Sequence, residues 1–351
     1  MLRWSSSFPI QFEHEWNETK TKRSTLVDKN IWIAHKRNYT PEQKVMDLLV
    51  FDTEKEKSTQ IKCKWTVKWP SQISWLGSWE NTLYMLVKPN HDGRRKIWLL
   101  YSMDINSCSP LEWTKFFPIE FDGYSSNVLI NKNQIFLMAR WTLYIVDIPT
   151  VTMTSTILKD QFCGTVTLHS TEDEKLYAHF IDNTEYGHRT LYKIEDGKMI
   201  RVVEDDFGVE TISMFTQHIK GFDCTSVYYS WFTDPKCRTA YLETFEFESR
   251  NWARINVEWV DWASKGSTYE SWKVGDKVYT IMGACEHNKF EMRVLELKPK
   301  LSTICLLNLI DDLIRHGFTE TENMKSQIPM KLRKKFERMA DWRIAESKKS
   351  H

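Results

Sequence analysis

Asn131–Asp147, NKNQIFLMARWTLYIVD, carries the pattern on which the reading of the whole chain turns. A polar turn leads into an apolar-aromatic-apolar triplet, Ile135-Phe136-Leu137. A short loop at Ala139-Arg140-Trp141-Thr142 follows, and then a second apolar run that ends on an acid, Asp147. Short β-branched and aromatic runs between polar turns predict paired antiparallel strands. The triplet returns as Ile31-Trp32-Ile33, Leu83-Tyr84-Met85, Leu176-Tyr177-Ala178, Val227-Tyr228-Tyr229 and Val278-Tyr279-Thr280. Starting at residues 31, 83, 135, 176, 227 and 278, the six triplets step by 52, 52, 41, 51 and 51. Each has a polar turn before it (DKN, WEN, NKNQ, EDEK, DCTS, VGDK) and a strand ending on an acid after it. Those acids are Asp52, Asp104, Asp147, Glu195, Glu246 and Glu296.

A repeat of about 50 residues built from short strands predicts a β-propeller with one blade per repeat. Each blade would hold an inner strand such as Val128-Leu129-Ile130, then the triplet strand, the acid strand and an outer strand. Outer strands are legible at Glu112–Phe116 and Trp252–Ile255. Two stacked β-sandwiches are the competing arrangement, and they give no reason for so regular a step. The period resembles that of kelch repeats, although the paired glycines of kelch are absent, as are the Gly-His and Trp-Asp marks of WD40 blades. The expected fold class is therefore all-β: a six-bladed kelch-like propeller over residues 1–298, followed by a small C-terminal α-helical box. The strand acids are expected to hydrogen-bond to neighbouring loops and not to catalyse.

Composition supports this and narrows the function. The 16 Trp, 18 Phe and 13 Tyr favour strands, and 12 Gly is few for a glycine-marked propeller. A net charge of +1 gives no global attraction to nucleic acid or to a membrane surface. With neither a long apolar run nor an apolar leader near Met1, the expected location is the cytoplasm, with the nucleus as a second compartment. Seven scattered Cys without CxxC pairs read as reduced thiols, so neither a disulfide frame nor a metal site is expected. No phosphate loop, nucleophile elbow or cofactor motif appears, and no cofactor is expected.

The end of the chain changes character. Over Pro299–Met339, Leu301, Cys305 and Leu309 recur every fourth residue, and Leu306, Leu313 and Ile314 widen the stripe. That spacing predicts a helix of about four turns, punctuated by Pro299 and Gly317. After a polar loop, Ile328-Pro329 opens a second amphipathic stretch with Leu332 and Phe336. Its basic residues, Lys331 to Arg338, alternate with Leu332, Phe336 and Met339, which predicts the solvated face of a docked helix.

This two-part stretch resembles the SOCS/VHL-type box of substrate receptors in elongin–cullin ubiquitin ligases. The family's Leu-x-x-x-Cys-x-x-x-apolar helix matches Leu301, Cys305 and Leu309, and its cullin box matches Ile328-Pro329 with Leu332. Lys300 stands where the family usually has Ser, Thr or Pro, and Lys331 stands where the cullin-5 subtype has a second Pro. The resemblance implies contact of Leu301, Cys305, Leu306 and Leu309 with elongin C, which carries elongin B. It further implies contact of Ile328, Pro329 and Leu332 with a cullin-2 type cullin. Residues 299–345 would form the box and 346–351 a disordered tail. The class includes a nematode zinc-finger-interacting receptor of similar plan, which points to a zinc-finger protein as one class of protein substrate.

The loops between triplet and acid strands supply a candidate substrate face. They carry His35-Lys36-Arg37, His91 with Arg94-Arg95, Arg140-Trp141, His188-Arg189, Lys236 with Arg238, and His287 with Lys289. Arg beside an aromatic suits recognition of carboxylates and acidic-aromatic peptides. The expected substrate-binding residues are Arg140, Trp141, Arg189, Arg95, Arg37 and Arg238. The function read from the sequence is a non-catalytic substrate receptor of a ubiquitin ligase. Two alternatives stand beside it: a propeller scaffold whose terminal helices pack on its own blades, and a propeller enzyme of unknown reaction.

Overall fold

The structure is a computed structural model. It describes residues 3–10, 22–35, 45–65, 72–88, 97–107, 111–120, 125–139, 142–157, 164–170, 175–182, 188–195, 198–206, 215–220, 227–234, 239–246, 251–258, 270–284, 289–297, 301–315, 336–337, 339–340 and 343. The chain is all-β apart from its C-terminal end. It begins with β1 (Trp4–Ile10). The first unit is β2 (Lys22–Val27), β3 (Asn30–His35), β4 (Val45–Asp52) and β5 (Lys57–Trp65). The second is β6 (Gln72–Trp79), β7 (Thr82–Lys88), β8 (Ile97–Asp104) and β9 (Glu112–Glu120). The third is β10 (Ser125–Asn131), β11 (Gln134–Ala139), β12 (Thr142–Asp147) and β13 (Thr152–Ile157). The fourth is β14 (Gly164–Ser170), β15 (Leu176–Asp182), β16 (His188–Glu195) and β17 (Lys198–Asp206). The fifth is β18 (Phe215–Lys220), β19 (Val227–Asp234), β20 (Thr239–Glu246) and β21 (Asn251–Val257). The sixth has β22 (Ser271–Val274), β23 (Lys277–Ala284) and β24 (Lys289–Glu296), and helix α1 (Leu301–Arg315) follows.

Each unit is an antiparallel meander. All six triplets fall on the second strand, and all six acids end the third. The sixth unit obtains its fourth strand from the other end of the chain: β1 pairs antiparallel with β24, Phe8 opposite Met292 and Ile10 opposite Phe290. Short parallel pairings join neighbouring units, Lys64–Trp65 of β5 with Glu112–Trp113 of β9 and Ile219–Lys220 of β18 with Ser271–Trp272 of β22. These pairings merge the strands into two eight-stranded and two four-stranded sheets.

The packing explains why the triplet has its form. Side chains alternate across a strand, so the flanking apolar residues and the central aromatic face opposite ways. Leu83 and Met85 pack with Trp32 and Ala34 of the first unit, whereas Tyr84 and Leu86 pack with Ile135 and Leu137 of the third. Phe136 and Met138 then face Leu168 and Ala178 of the fourth. Tyr279 and Ile281 of the sixth unit pack against Ile31, Ile33 and Phe51 of the first. In the first, second, third and sixth units the aromatic thus addresses the following unit, and for the sixth unit the following one is the first. A strand buried on both faces needs an unbroken apolar run. Burial fades outward across the third unit: β11 is buried at five of six positions, β12 at two and β13 at none.

Polar ties close the join between sixth and first units. Ser24 donates its N–H to Glu270 at 2.5 Å and its hydroxyl to the same carboxylate, and it accepts from the Trp272 indole at 2.7 Å. The Tyr279 hydroxyl donates to the Thr53 carbonyl at 3.1 Å. Between first and second units Arg23 Nε donates to the Ser74 carbonyl at 2.5 Å, and Ser78 donates to the Leu26 carbonyl at 2.9 Å. These contacts ascend both strands together, so β2 and β6 run side by side in one direction.

The turns repeat as well. Asp28, Glu80, Lys132 and Gly275 each open a two-residue turn between first and second strands with φ between 49° and 58°. The following carbonyl (Lys29, Asn81, Asn133 or Asp276) accepts the N–H of the residue after the strand acid, at 2.8–3.0 Å. The acids themselves organise the next turn, as expected of structural residues. Asp52 Oδ1 accepts from the N–H groups of Glu54 and Lys55, and Asp147 Oδ1 accepts from the N–H and hydroxyl of Thr150. The backbone N–H of Lys55 is the main reason the Asp52 carboxyl lies below its ordinary range, and the Thr150 hydroxyl plays that part for Asp147.

Candidate functional site

Helix α1 spans 15 residues and ends with Arg315 in its last turn, where a cation complements the helix dipole. Its buried side is the row Leu306, Ile310 and Ile314 with Leu307 beside it. That row packs against Phe336, Met339 and Ala340, all at most 1% exposed, from the stretch that the sequence marks as a second helix. Helical backbone is present there at residues 336, 337, 339, 340 and 343. Phe336 and Met339 thus dock on α1, and the basic residues between Lys331 and Arg338 lie outside the described residues.

Positions 301, 305 and 309 form the neighbouring i, i+4 row, about 100° around the helix from the buried one. Leu309 is half-buried at the edge of the module's core. Leu306, expected as an elongin contact, is 4% exposed and belongs to that core. It supports the helix from within, a role that the every-fourth-residue spacing alone could not separate from partner contact. Leu301 and Cys305 lie in the first turns of α1, and their side chains lie outside the described residues, as do Ile328, Pro329 and Leu332 altogether.

The module is tied to the β body by charge. Asp311 accepts Arg3, just before β1, at 2.5 Å and lies 3.6 Å from Arg343 Nε. Arg343 in turn pairs with Glu258, just beyond β21. Asn308 also accepts from Arg3 at 3.4 Å. Helix, C-terminal segment and the outer strands of the fifth and sixth units therefore share one network. The Arg343 and Glu258 side chains are only 10% and 23% exposed, so this pair is screened less than an ordinary surface pair.

The expected substrate residues fare differently. Arg37, Arg95, Arg140, Trp141 and Arg238 lie outside the described residues. Arg189 is described in its backbone, and it corrects the sequence reading: it stands in β16, opposite Ile181 and Asp205, and not on a loop. Lys289 likewise opens β24, opposite Ala284. The connection between second and third strands leaves every unit at the end opposite the first turn. In the third unit it is closed to the two residues Arg140-Trp141, between Ala139 and Thr142, which pair with each other.

Two buried histidines escaped the sequence reading. His169 on β14 and His179 on β15 are 2% and 1% exposed. His169 pairs with Tyr177 and Thr167 with His179, so both rings lie on the side of the fourth unit away from Leu168 and Ala178. His169 follows Thr165 and Thr167 in an alternating strand and reads as solvent-facing, whereas His179 interrupts the apolar run Leu176–Ile181. Burial pushes the His169 imidazole down from 6.5 to about 4. The folded chain therefore holds it neutral, while the unfolded chain takes up a proton near pH 6.5. Stability from this residue is complete above pH 6.5 and is lost as pH falls toward 4, by about 3 kcal/mol. Denaturant midpoints taken between pH 7 and 4.5 are expected to fall more steeply in the wild-type chain than in His169→Gln. Parallel pH profiles would assign the acid sensitivity to other groups.

Among the described residues no group of three His, Cys, Asp or Glu could hold a metal ion, and no helix is long and apolar enough to cross a membrane. Cys63 is buried, 1% exposed. No family model matches the chain, and no relative is found among curated proteins.

Proposed function

We propose that this chain is the substrate-recognition subunit of an elongin BC–cullin-2 type ubiquitin ligase. In this reading its body is a six-bladed kelch-like β-propeller and its end is a SOCS/VHL-like box. The observation that carries the reading is the architecture of α1. The chain's own residues cover the row of Leu306, Ile310 and Ile314, while the Leu301–Cys305–Leu309 row that resembles an elongin-binding helix runs beside it. Six meanders with the sixth packed on the first, and closed by the N-terminal strand, support the propeller reading.

A receptor of this kind performs no chemistry. It raises the effective concentration of its target near the ubiquitin-charged enzyme. The target is a protein, with zinc-finger proteins among the candidates. It meets the end of the body where the second-to-third connections emerge, with Arg140 and Trp141 on the shortest connection as its central contacts and Arg37, Arg95, Arg189 and Arg238 around them. The network of Arg3, Asp311, Arg343 and Glu258 fixes the angle between body and box. It equally suits a scaffold whose helices belong to its own body, and the partner experiment separates the two.

The test is co-expression of the full-length tagged chain with elongins B and C and with cullin-2 or cullin-5. Elongin C and cullin-2 are expected to co-purify. Lys331, in the place of the second cullin-box Pro, is the reason for expecting cullin-2. Recovery of cullin-5 without cullin-2 would overturn the cullin assignment, and absence of elongin C would overturn the receptor reading itself.

A further inference from the structure

The six outer strands differ in a way that neither the repeat nor the helical module requires. A free strand edge presents unpaired N–H and C=O groups, and chains ordinarily blunt such edges with charge or proline. Five of the six follow that rule. β5 carries Lys57, Lys62 and Lys64; β9 carries Lys115 and Pro118; β17 carries Lys198 and Arg201; β21 carries Arg254; β1 carries Pro9. β13, Thr-Met-Thr-Ser-Thr-Ile, carries neither.

Among the described residues β13 pairs with β12 alone, and it ends its four-stranded sheet. Thr152, Thr154, Ser155 and Ile157 are exposed, and Ile157 is 75% exposed, the highest value among the large apolar side chains of the described residues. Val151, just before the strand, is a further 39% exposed. Met153, Ser155 and Ile157 lie on one side of the strand. An open edge, uncharged and rich in β-branched residues, has the chemistry that accepts an added strand.

We infer that β13 is a docking edge for an extended segment of a partner protein, which adds to the third unit as a fifth strand. The segment has apolar residues at alternate positions, to meet Ile157 and Met153, and no charge between them. A second copy of this chain is the other possible occupant, and area decides against it. Six residues give an edge about 20 Å long. A stable protein pair needs about 800 Å² per partner, far more than one short edge supplies, whereas a peptide needs only the edge. The surface is independent of the helical module, so its test does not rest on the ligase reading.

The probe is a fluorescent eight-residue peptide of alternating valine and threonine between terminal lysines, titrated with the full chain. Its counterpart is N-methylated at alternate residues and cannot hydrogen-bond along one edge. Saturable polarisation is expected with the first peptide and none with the second. Ile157→Lys is expected to weaken binding at least roughly tenfold with an unchanged melting transition, and the exposed Thr154→Lys provides the same reading should the first variant fold poorly. Equal binding of both peptides, no binding of either, or undiminished binding by both variants would overturn the inference. So would a dimer in sedimentation that Ile157→Lys dissolves, because the edge would then seat a second copy.

Discussion

Elongin C is expected to disappear from the purified complex when Leu301→Ala and Cys305→Phe are combined, while the melting transition of the β body stays in place. One row of α1 is already occupied by the chain's own residues. Leu306 and Ile310 are 4% and 0% exposed and pack on Phe336, Met339 and Ala340, so among the described residues the module's core is built from that row. An apolar knob seated in a partner's groove contributes about 2–3 kcal/mol, and an aromatic ring forced into a slot built for a thiol adds a clash. Losing two such contacts weakens association by several decades, beyond what a pull-down retains. Ile310→Ala provides the contrast. It removes a fully buried side chain from the module's own core, costs about 2–5 kcal/mol, and is expected to loosen the module while weakening elongin binding only through that loss. If the double variant instead collapses the melting transition, the Leu301–Cys305 row is interior and the scaffold reading takes over. Undiminished elongin binding in a folded variant would place the contact elsewhere.

The periodic part of the fold was legible because it is imposed by burial on both faces of each triplet strand. Ile135 and Leu137 face one neighbour and Phe136 the other, so the sequence must be apolar at all three positions, and the repeat becomes visible. The acids were legible for a similar reason: an Asp at the end of the third strand accepts the N–H groups of the next turn, a requirement local to a few residues. What escaped depends on contacts distant in sequence. Arg3 and Asp311 are ordinary surface charges until the chain brings them to 2.5 Å, and nothing near either names the other. Leu306 and Leu309 belong to one amphipathic stripe, and periodicity cannot divide it into a row for the chain's own core and a row beside it. His169 and His179 were hidden because an imidazole breaks an apolar run as readily on the surface as inside. Arg140 and Trp141 form the shortest of the connections between second and third strands, which is legible in the spacing, and both lie outside the described residues.

Removing residues 1–10 is expected to abolish cooperative folding of the whole body, although β1 is one strand of twenty-four among the described residues. The need for it was present in the spacing. Glu296 ends β24 and Leu301 begins α1, which leaves no room for a fourth strand in the sixth unit. β1 fills that place from the other end of the chain, so the sixth unit is built from both termini. Without it β24 becomes an edge whose Met292, Val294 and Leu295, all fully buried, lose cover. Phe8 no longer packs on Phe51, whose ring centroid lies 5.7 Å away. The buried Ser5 hydroxyl no longer donates to the Val294 carbonyl, and Asp311 loses Arg3. Each large apolar side chain re-exposed costs about 1.5–3 kcal/mol, and three or four together approach the whole 5–15 kcal/mol by which a domain is stable. The loss cannot stay local, because Tyr279 and Ile281 hold the sixth unit to the first. Urea denaturation followed by tryptophan fluorescence is the measurement, with Phe8→Ala as the graded comparison. A sharp transition at the wild-type midpoint in the truncated chain would show that the body folds without its N-terminal strand.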